Sequence, residues 1–186
     1  MAQDLAQDVT EPTVDPTIEQ LAQAVKEPGQ KSLAIICWSS DLDKVWPVLI
    51  LATTGAAQGM KVDVFFTFWG LRVLQKNDNR ITGRNWMQVG ESVVDRGGTD
   101  HLKLGKINMA GMGTWMIKRL AKQHGVASPS ELLEIARDLG VNLIPCQMTM
   151  DLYGFAQEDF IDGLPTPAGA ATFLDLAADA DITLFI

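Results

Sequence analysis

In "NLIPCQMTMD" (142–151) a short apolar run reaches Cys146 and then gives way to polar residues that can start a helix. The same order recurs at "SLAIIC" (32–37), which ends on Cys37 before "WSSDLDK". Two further runs, "KVDVFFTF" (61–68) and "ITLFI" (182–186), have the continuous apolar character of strands buried on both faces. Between them lie segments with helix signals. "SSDLDKVWPVLILATTGAAQG" (39–59) has Ser40 and Asp43 at capping-box spacing, with Pro47 as a local conflict that asks the first turn to bend or begin late. "WGLRVLQK" (69–76) and "MAGMGTWMIKRLAKQHG" (109–125) are two more helical segments. "SPSELLEIARDLG" (128–140) has Ser128 as N-cap, Pro129 at the first position and Glu131 three residues on. "TPAGAATFLDLAADA" (166–180) reads as a helix capped by Thr166. Strands separated by helices predict an α/β fold: an open parallel sheet of four or five strands with helices on both faces.

The chain has 186 residues and a formal charge of −8, with 47% hydrophobic and 20% charged residues. That describes one globular domain long enough to bury a full core. Residues 1–30 form an acidic extension, with Asp4, Asp8, Glu11, Asp15, Glu19 and Glu27 against Lys26. Its first 16 residues read as a mobile tail and 17–29 as a short helix, so the domain proper is 31–186. Residues 72–122 are basic by contrast, suited to an anionic substrate or an acidic partner, or simply to a solvated face. Within them 77–108 shows no sustained period, which marks a functional loop or interaction surface.

Several function classes are set aside by what the sequence lacks. No apolar run approaches the ~18 residues of a membrane span. No dense basic run or zinc spacing points to nucleic acid, and no glycine pattern matches a P-loop or dinucleotide fingerprint, so no cofactor or metal is expected. Two cysteines do not make a disulfide scaffold, and a cytoplasmic location is expected. His124 suits a helix C-terminus, and His101 lies in the basic loop. Met109, Met112 and Met116 form a stripe at helical spacing that suits a core or a subunit interface.

In an open parallel sheet, ligands bind beyond the carboxyl ends of the strands, so both cysteines sit at the working edge. A thiol at a helix start is also favoured as thiolate. Cys146 is therefore the leading nucleophile, with Cys37 a secondary or resolving thiol. The packing alternative, two small buried hydrophobes, stays open. Asp151 would order the helix after Cys146.

The blocks "CWSSDLDKVWPVLILATTGAAQGMKVDVFFTFWGL" (37–71), "LKLGKINMAGMGTWMIKRL" (102–120), "IPCQMTMDLYG" (144–154) and "LFI" (184–186) resemble the DsrE/DsrF-like family. The resemblance is to its subgroup of sulfur carrier or sulfurtransferase proteins from sulfur-oxidation gene clusters, and it covers residues 31–186. It implies a homo-oligomer, a trimer or a multiple of it, and a cysteine that carries sulfane sulfur or thiosulfonate. The family's carrier cysteine maps onto Cys146. Other sulfur-transfer proteins and small anions such as thiosulfate, tetrathionate or polysulfide are the expected partners. Arg96, Lys103 and Lys106 are the candidate neighbours of an anionic adduct. The alternatives are a thiol–disulfide or peroxide-type redox protein using Cys146 and Cys37, or a partner subunit without chemistry.

Overall fold

The computed structural model describes residues 29–78, 81–83, 85–94, 96–106 and 108–186. The expected tail and the helix at 17–29 lie essentially outside that range. Four strands form one parallel sheet: β1 (Ser32–Cys37), β2 (Lys61–Phe66), β3 (Asn142–Pro145) and β4 (Ile182–Phe185). Their order across the sheet is β3-β2-β1-β4. Every pairing is parallel, with Cys37 opposite Phe66 and Phe66 opposite Pro145. The α/β expectation is met with four strands among the described residues.

Among the described residues six α-helices surround the sheet: α1 (Leu42–Ala57), α2 (Trp86–Val94), α3 (Met112–Gln123), α4 (Pro129–Asp138), α5 (Gln147–Tyr153) and α6 (Ala170–Ala178). A 3-10 segment, Phe68–Leu74, follows β2. The core is divided by the sheet. On one face Leu33, Ile35, Val62, Val64 and Leu143 pack under α1 and α4. On the other, Ala34, Phe65 and Ile144 pack under α6, with Phe65 stacked on Phe173 at 4.9 Å between centroids. The odd and even residues of each strand divide between these layers as strand alternation requires.

Local chemistry explains most boundaries. In α4 the capping box is complete: Ser128 Oγ accepts the Glu131 N–H, and the Glu131 carboxylate accepts the Ser128 N–H. Those bonds hold Glu131 below the usual carboxylate range. In α1 the N-cap is Asp41 and makes no side-chain cap bond, so the Ser40–Asp43 capping box does not form. Instead Ser39 Oγ accepts the Asp41 N–H. The helix starts at Leu42 and runs through Pro47, which faces solvent, where water can satisfy the carbonyl that proline leaves without its donor. Gly55 lets α1 approach the sheet, because a Cβ there would sit 3.1 Å from Leu33 Cδ2 and 3.2 Å from Val62 Cγ2.

Two expectations are corrected and a third is narrowed. The helix after Thr166 begins only at Ala170, with Gly169 as N-cap. Residues ahead of it are taken up by the sheet: Ala168 donates its N–H to the Pro145 carbonyl at 2.9 Å and forms a parallel bridge with Cys146. The final strand is an exposed edge and not a buried one, with Ile182 and Phe185 open to solvent. Of the two readings of the methionine stripe, core is set aside and a subunit interface is left: Met109, Met112 and Met116 are exposed, together with Trp115.

At the opposite end of the sheet the register of β1 and β4 is pinned by Asp181. Its carboxylate accepts the Ser32 N–H at 2.8 Å and the Ser32 hydroxyl at 3.0 Å. Asp63, buried at the start of β2, pairs with Lys61 and accepts a bond from the Asn142 side chain at 2.7 Å. These contacts at the amino ends hold the carboxyl ends of the strands in line.

Candidate functional site

Cys146 is the N-cap of α5 and the first residue past β3. Its N–H donates to the Phe66 carbonyl at 3.0 Å, and its carbonyl accepts the Met150 N–H at 3.1 Å. The next amide, of Gln147, donates to the Ala168 carbonyl at 3.0 Å. The main chain around the cysteine is thus held between the end of β2 and a strap formed by 165–169. Only 2% of Cys146 is exposed, and it belongs to the cluster of Ala34, Phe65, Ile144 and Phe173.

The residues after Cys146 divide the labour of the short helix. Thr149 is fully buried; its hydroxyl accepts the Phe68 N–H at 3.1 Å and shares a hydrogen bond with the Thr67 hydroxyl at 3.2 Å. Met150 enters the core, Met148 faces solvent, and Gln147 donates to the Asp151 carboxylate at 2.9 Å. Asp151, four residues on from Gln147, therefore orders the outer face of the helix. The Thr149 bond also explains the backbone of Phe68, whose φ of 49° is rarely adopted by an aromatic residue. That turn delivers Phe68 and Trp69, both partly exposed, to the carboxyl edge of the sheet.

Cys37 has a different environment. It is fully buried on the opposite face of the sheet, with Leu33 and Ile35 in the layer under α1. Its thiol donates weakly to the Ser39 carbonyl at 3.6 Å. Burial pushes its pKa up to about 12, and the Ser39 bond only partly offsets this. Gly70 packs against its main chain, where a Cβ would overlap the Cys37 carbonyl oxygen. The two cysteines are separated by β2, two strand spacings or about 10 Å in backbone terms. A disulfide needs Cα atoms within about 7 Å. Within one subunit, direct exchange between these thiols is out of reach unless β2 moves.

The basic candidates are brought together elsewhere. Arg96 and Lys103 line a cavity beyond the end of β1, with Trp38, Lys44 and Trp69, and Lys106 is exposed nearby in sequence. No residue of 144–154 lines that cavity. His101 is in the same wall, its Nδ1 2.8 Å from the Gly97 carbonyl. His124 is the C-cap of α3. One residue escaped the sequence reading: Arg72 is buried, with its guanidinium carbon 5.4 Å from the Phe155 ring centroid and 5.7 Å from that of Tyr153. A cation inside the apolar "WGLRVL" was the available signal.

Comparison with known proteins adds to this geometry. The profile of the DsrE/DsrF/DrsH-like family matches residues 29–185. The chain is 43% identical over 164 residues to the sulfur carrier protein DsrE2 of Allochromatium vinosum, covering 84% of this chain and 99% of that protein. It is 35% identical over 156 residues to the uncharacterized protein YrkE of Bacillus subtilis strain 168, covering 84% of this chain and 97% of that one.

Two outcomes follow from the site geometry. Thr149→Val keeps the shape but leaves the Phe68 amide without its acceptor, and should cost about 1–3 kcal/mol in urea unfolding. The same variant should label faster at Cys146 with iodoacetamide, because the helix start is no longer tied to the turn after β2. The Cys37 thiol should also make stability fall at high pH. Its folded pKa lies above the ~8.5 of a free thiol, so its contribution is complete below that value and is lost as pH rises towards 12. Urea midpoints between pH 8 and 10.5 should fall more steeply for wild type than for Cys37→Ala.

Proposed function

The chain belongs to the DsrE/DsrF/DrsH-like family, and from that premise we propose that it is a sulfur carrier that holds sulfane sulfur or thiosulfonate on Cys146. The observation that carries this reading is the seat of Cys146: a cysteine at the carboxyl edge of a parallel sheet, opening a helix, inside "IPCQMTMD". The 43% identical relative named as a sulfur carrier supports it.

In the loading step the Cys146 thiolate attacks the outer sulfur of a persulfide RS–SH, forming Cys146–S–SH and releasing RS⁻. With tetrathionate the same attack forms Cys146–S–S–SO₃⁻ and releases thiosulfate. Release is attack on the bound sulfur by a thiol of a partner protein, which returns Cys146 to its starting state. Because Cys146 is buried, with Ala168 of the strap among the residues packed against its cluster, a local opening must precede either step. Cys37 takes no part, being buried, protonated and on the other face. A reducing cytoplasm suits a carrier whose thiol must be regenerated. No helix among the described residues is long and apolar enough to cross a membrane.

The reading includes a homo-oligomer, a trimer or a multiple of it. Trp86 and Met87 of α2, and Met112, Trp115, Met116 and Leu120 of α3, place large apolar side chains on the surface.

Intact-mass measurement after incubation with polysulfide or tetrathionate tests the carrier role. Wild type and Cys37→Ser should gain about 32 Da per sulfur from polysulfide, and the mass of a thiosulfate adduct from tetrathionate. Cys146→Ser should gain neither; loading of that variant at the wild-type rate would end this reading. In sedimentation at low micromolar concentration, wild type should run well above the 20.3 kDa of one chain, and Trp115→Asp with Met116→Asp should shift it towards that mass.

A further inference from the structure

No residue of 144–154 lines the cavity beyond β1, and its chemistry points to a ligand of its own. It measures about 430 Å³, within the range of small-molecule sites. It also lies where an open α/β sheet most often binds ligands. From β1 the chain crosses to β2 on one side, whereas β4 returns to pair on the other, so the crevice at the end of β1 is the switch point of the topology. The β1–β4 side of that crevice is closed by the Trp38 N–H donating to the Ile186 carbonyl at 3.2 Å.

Its walls are charged against the sign of the molecule. Lys44, Arg96 and Lys103 line it, with Asp41 the sole acid among the lining residues, in a chain of net charge −8. Asp41 is already engaged by Lys44, with Nζ at 2.8 Å from Oδ2. Asp43, outside the lining, accepts the Gly105 N–H at 2.9 Å. His101 adds a ring whose Nδ1 is committed to Gly97, which makes Nε2 the nitrogen available to a ligand. The indoles supply an apolar wall. Trp38 and Trp69 meet edge to face at 6.3 Å, and Lys44 Nζ lies 4.7 Å from the Trp38 centroid.

The walls are also fixed before any ligand arrives. Leu42 donates to the Lys103 carbonyl at 2.8 Å, and Asp41 forms a parallel bridge with Lys103. Further along, Leu104 donates to the Thr114 hydroxyl at 2.9 Å, and that hydroxyl donates to the Asn108 side chain at 2.8 Å. Cations carried on a fixed backbone beside flat apolar surface favour a ligand that is both anionic and partly planar or apolar. An inorganic sulfur anion would fill only a small part of the volume.

We propose that this cavity binds a small organic anion with two or more negative groups, of the size of a nucleoside monophosphate or a tripeptide. The site is separate from Cys146 and does not depend on sulfur loading.

Titration of the full chain, with intrinsic tryptophan fluorescence and calorimetry as readouts, tests this. The probes are adenosine monophosphate, glutathione and, as inorganic control, thiosulfate. The expected result is saturable binding of one organic probe, with Trp38 and Trp69 reporting it. Affinity should fall at least about tenfold in Lys103→Glu and in Arg96→Glu. It should be unchanged in Lys76→Glu, a residue paired with Asp162 outside the cavity lining, and in Cys146→Ser. Absence of saturation with both organic probes, equal binding by the two charge-reversal variants, or displacement by equimolar thiosulfate would overturn the proposal. Loading of Cys146 is measured separately by mass, so failure here leaves the carrier reading untouched, and the reverse.

Discussion

The hydrogen bond from the Cys146 amide to the Phe66 carbonyl carries the β2–β3 ladder one residue beyond Pro145. The rest of the site is arranged around it. Because β3 is an edge strand, its proline can end the ladder without leaving a central strand short of a donor. The following peptide then turns into α5, with Gln147 donating to the strap and Met150 closing the first helical bond onto Cys146. Main-chain bonds set the position of the Cys146 backbone, and the apolar cluster packs round its side chain. A slip of one residue in the register would move it to the other layer of the core.

That placement sets burial against reactivity. The apolar cluster around Cys146 opposes approach by a reagent, whereas transfer of sulfur demands it. The opposition is local. The strap is held to β3 and α5 by the two bonds of Ala168, each worth about 1 kcal/mol net. If Cys146 carries sulfur as proposed, the same burial would shield an adduct from stray thiols between transfers.

The fold was legible because its signals are local and redundant. Four apolar runs, the Ser128–Glu131 box and the glycines after helices name the elements directly. What was misread shares one cause: a tertiary contact outbid a local preference. Thr166–Pro167 has every local mark of a helix start, yet Ala168 is held as an added bridge beside Cys146, so the helix waits for Gly169. Asp43 has capping-box spacing from Ser40, but its carboxylate serves Gly105, sixty-two residues away. The basic residues of the irregular region were placed near Cys146 only by the needs of the chemistry. The bonds from Leu42 to Lys103 and from Gly105 to Asp43 draw them to the end of β1 instead, and nothing in their local sequence encodes those partners.

The two cysteines show most clearly where a sequence stops informing. Each follows an apolar run and precedes a helix, and in sequence they look equivalent. Their difference lies in parity. Cys37 falls in step with Leu33 and Ile35 and enters the layer under α1, whereas Cys146 falls in step with Ile144 and enters the layer under α6. In a strand with one solvated face, alternation of polar and apolar residues would reveal that parity. In strands covered on both faces it is hidden, because both sets are apolar. The consequence is chemical as well as geometric. In the layer under α1 burial keeps the Cys37 thiol protonated. The layer under α6 holds Cys146 beside Ala168, a residue tied to Pro145 and Gln147 by two main-chain hydrogen bonds, so the twin cysteines of the sequence meet different surroundings.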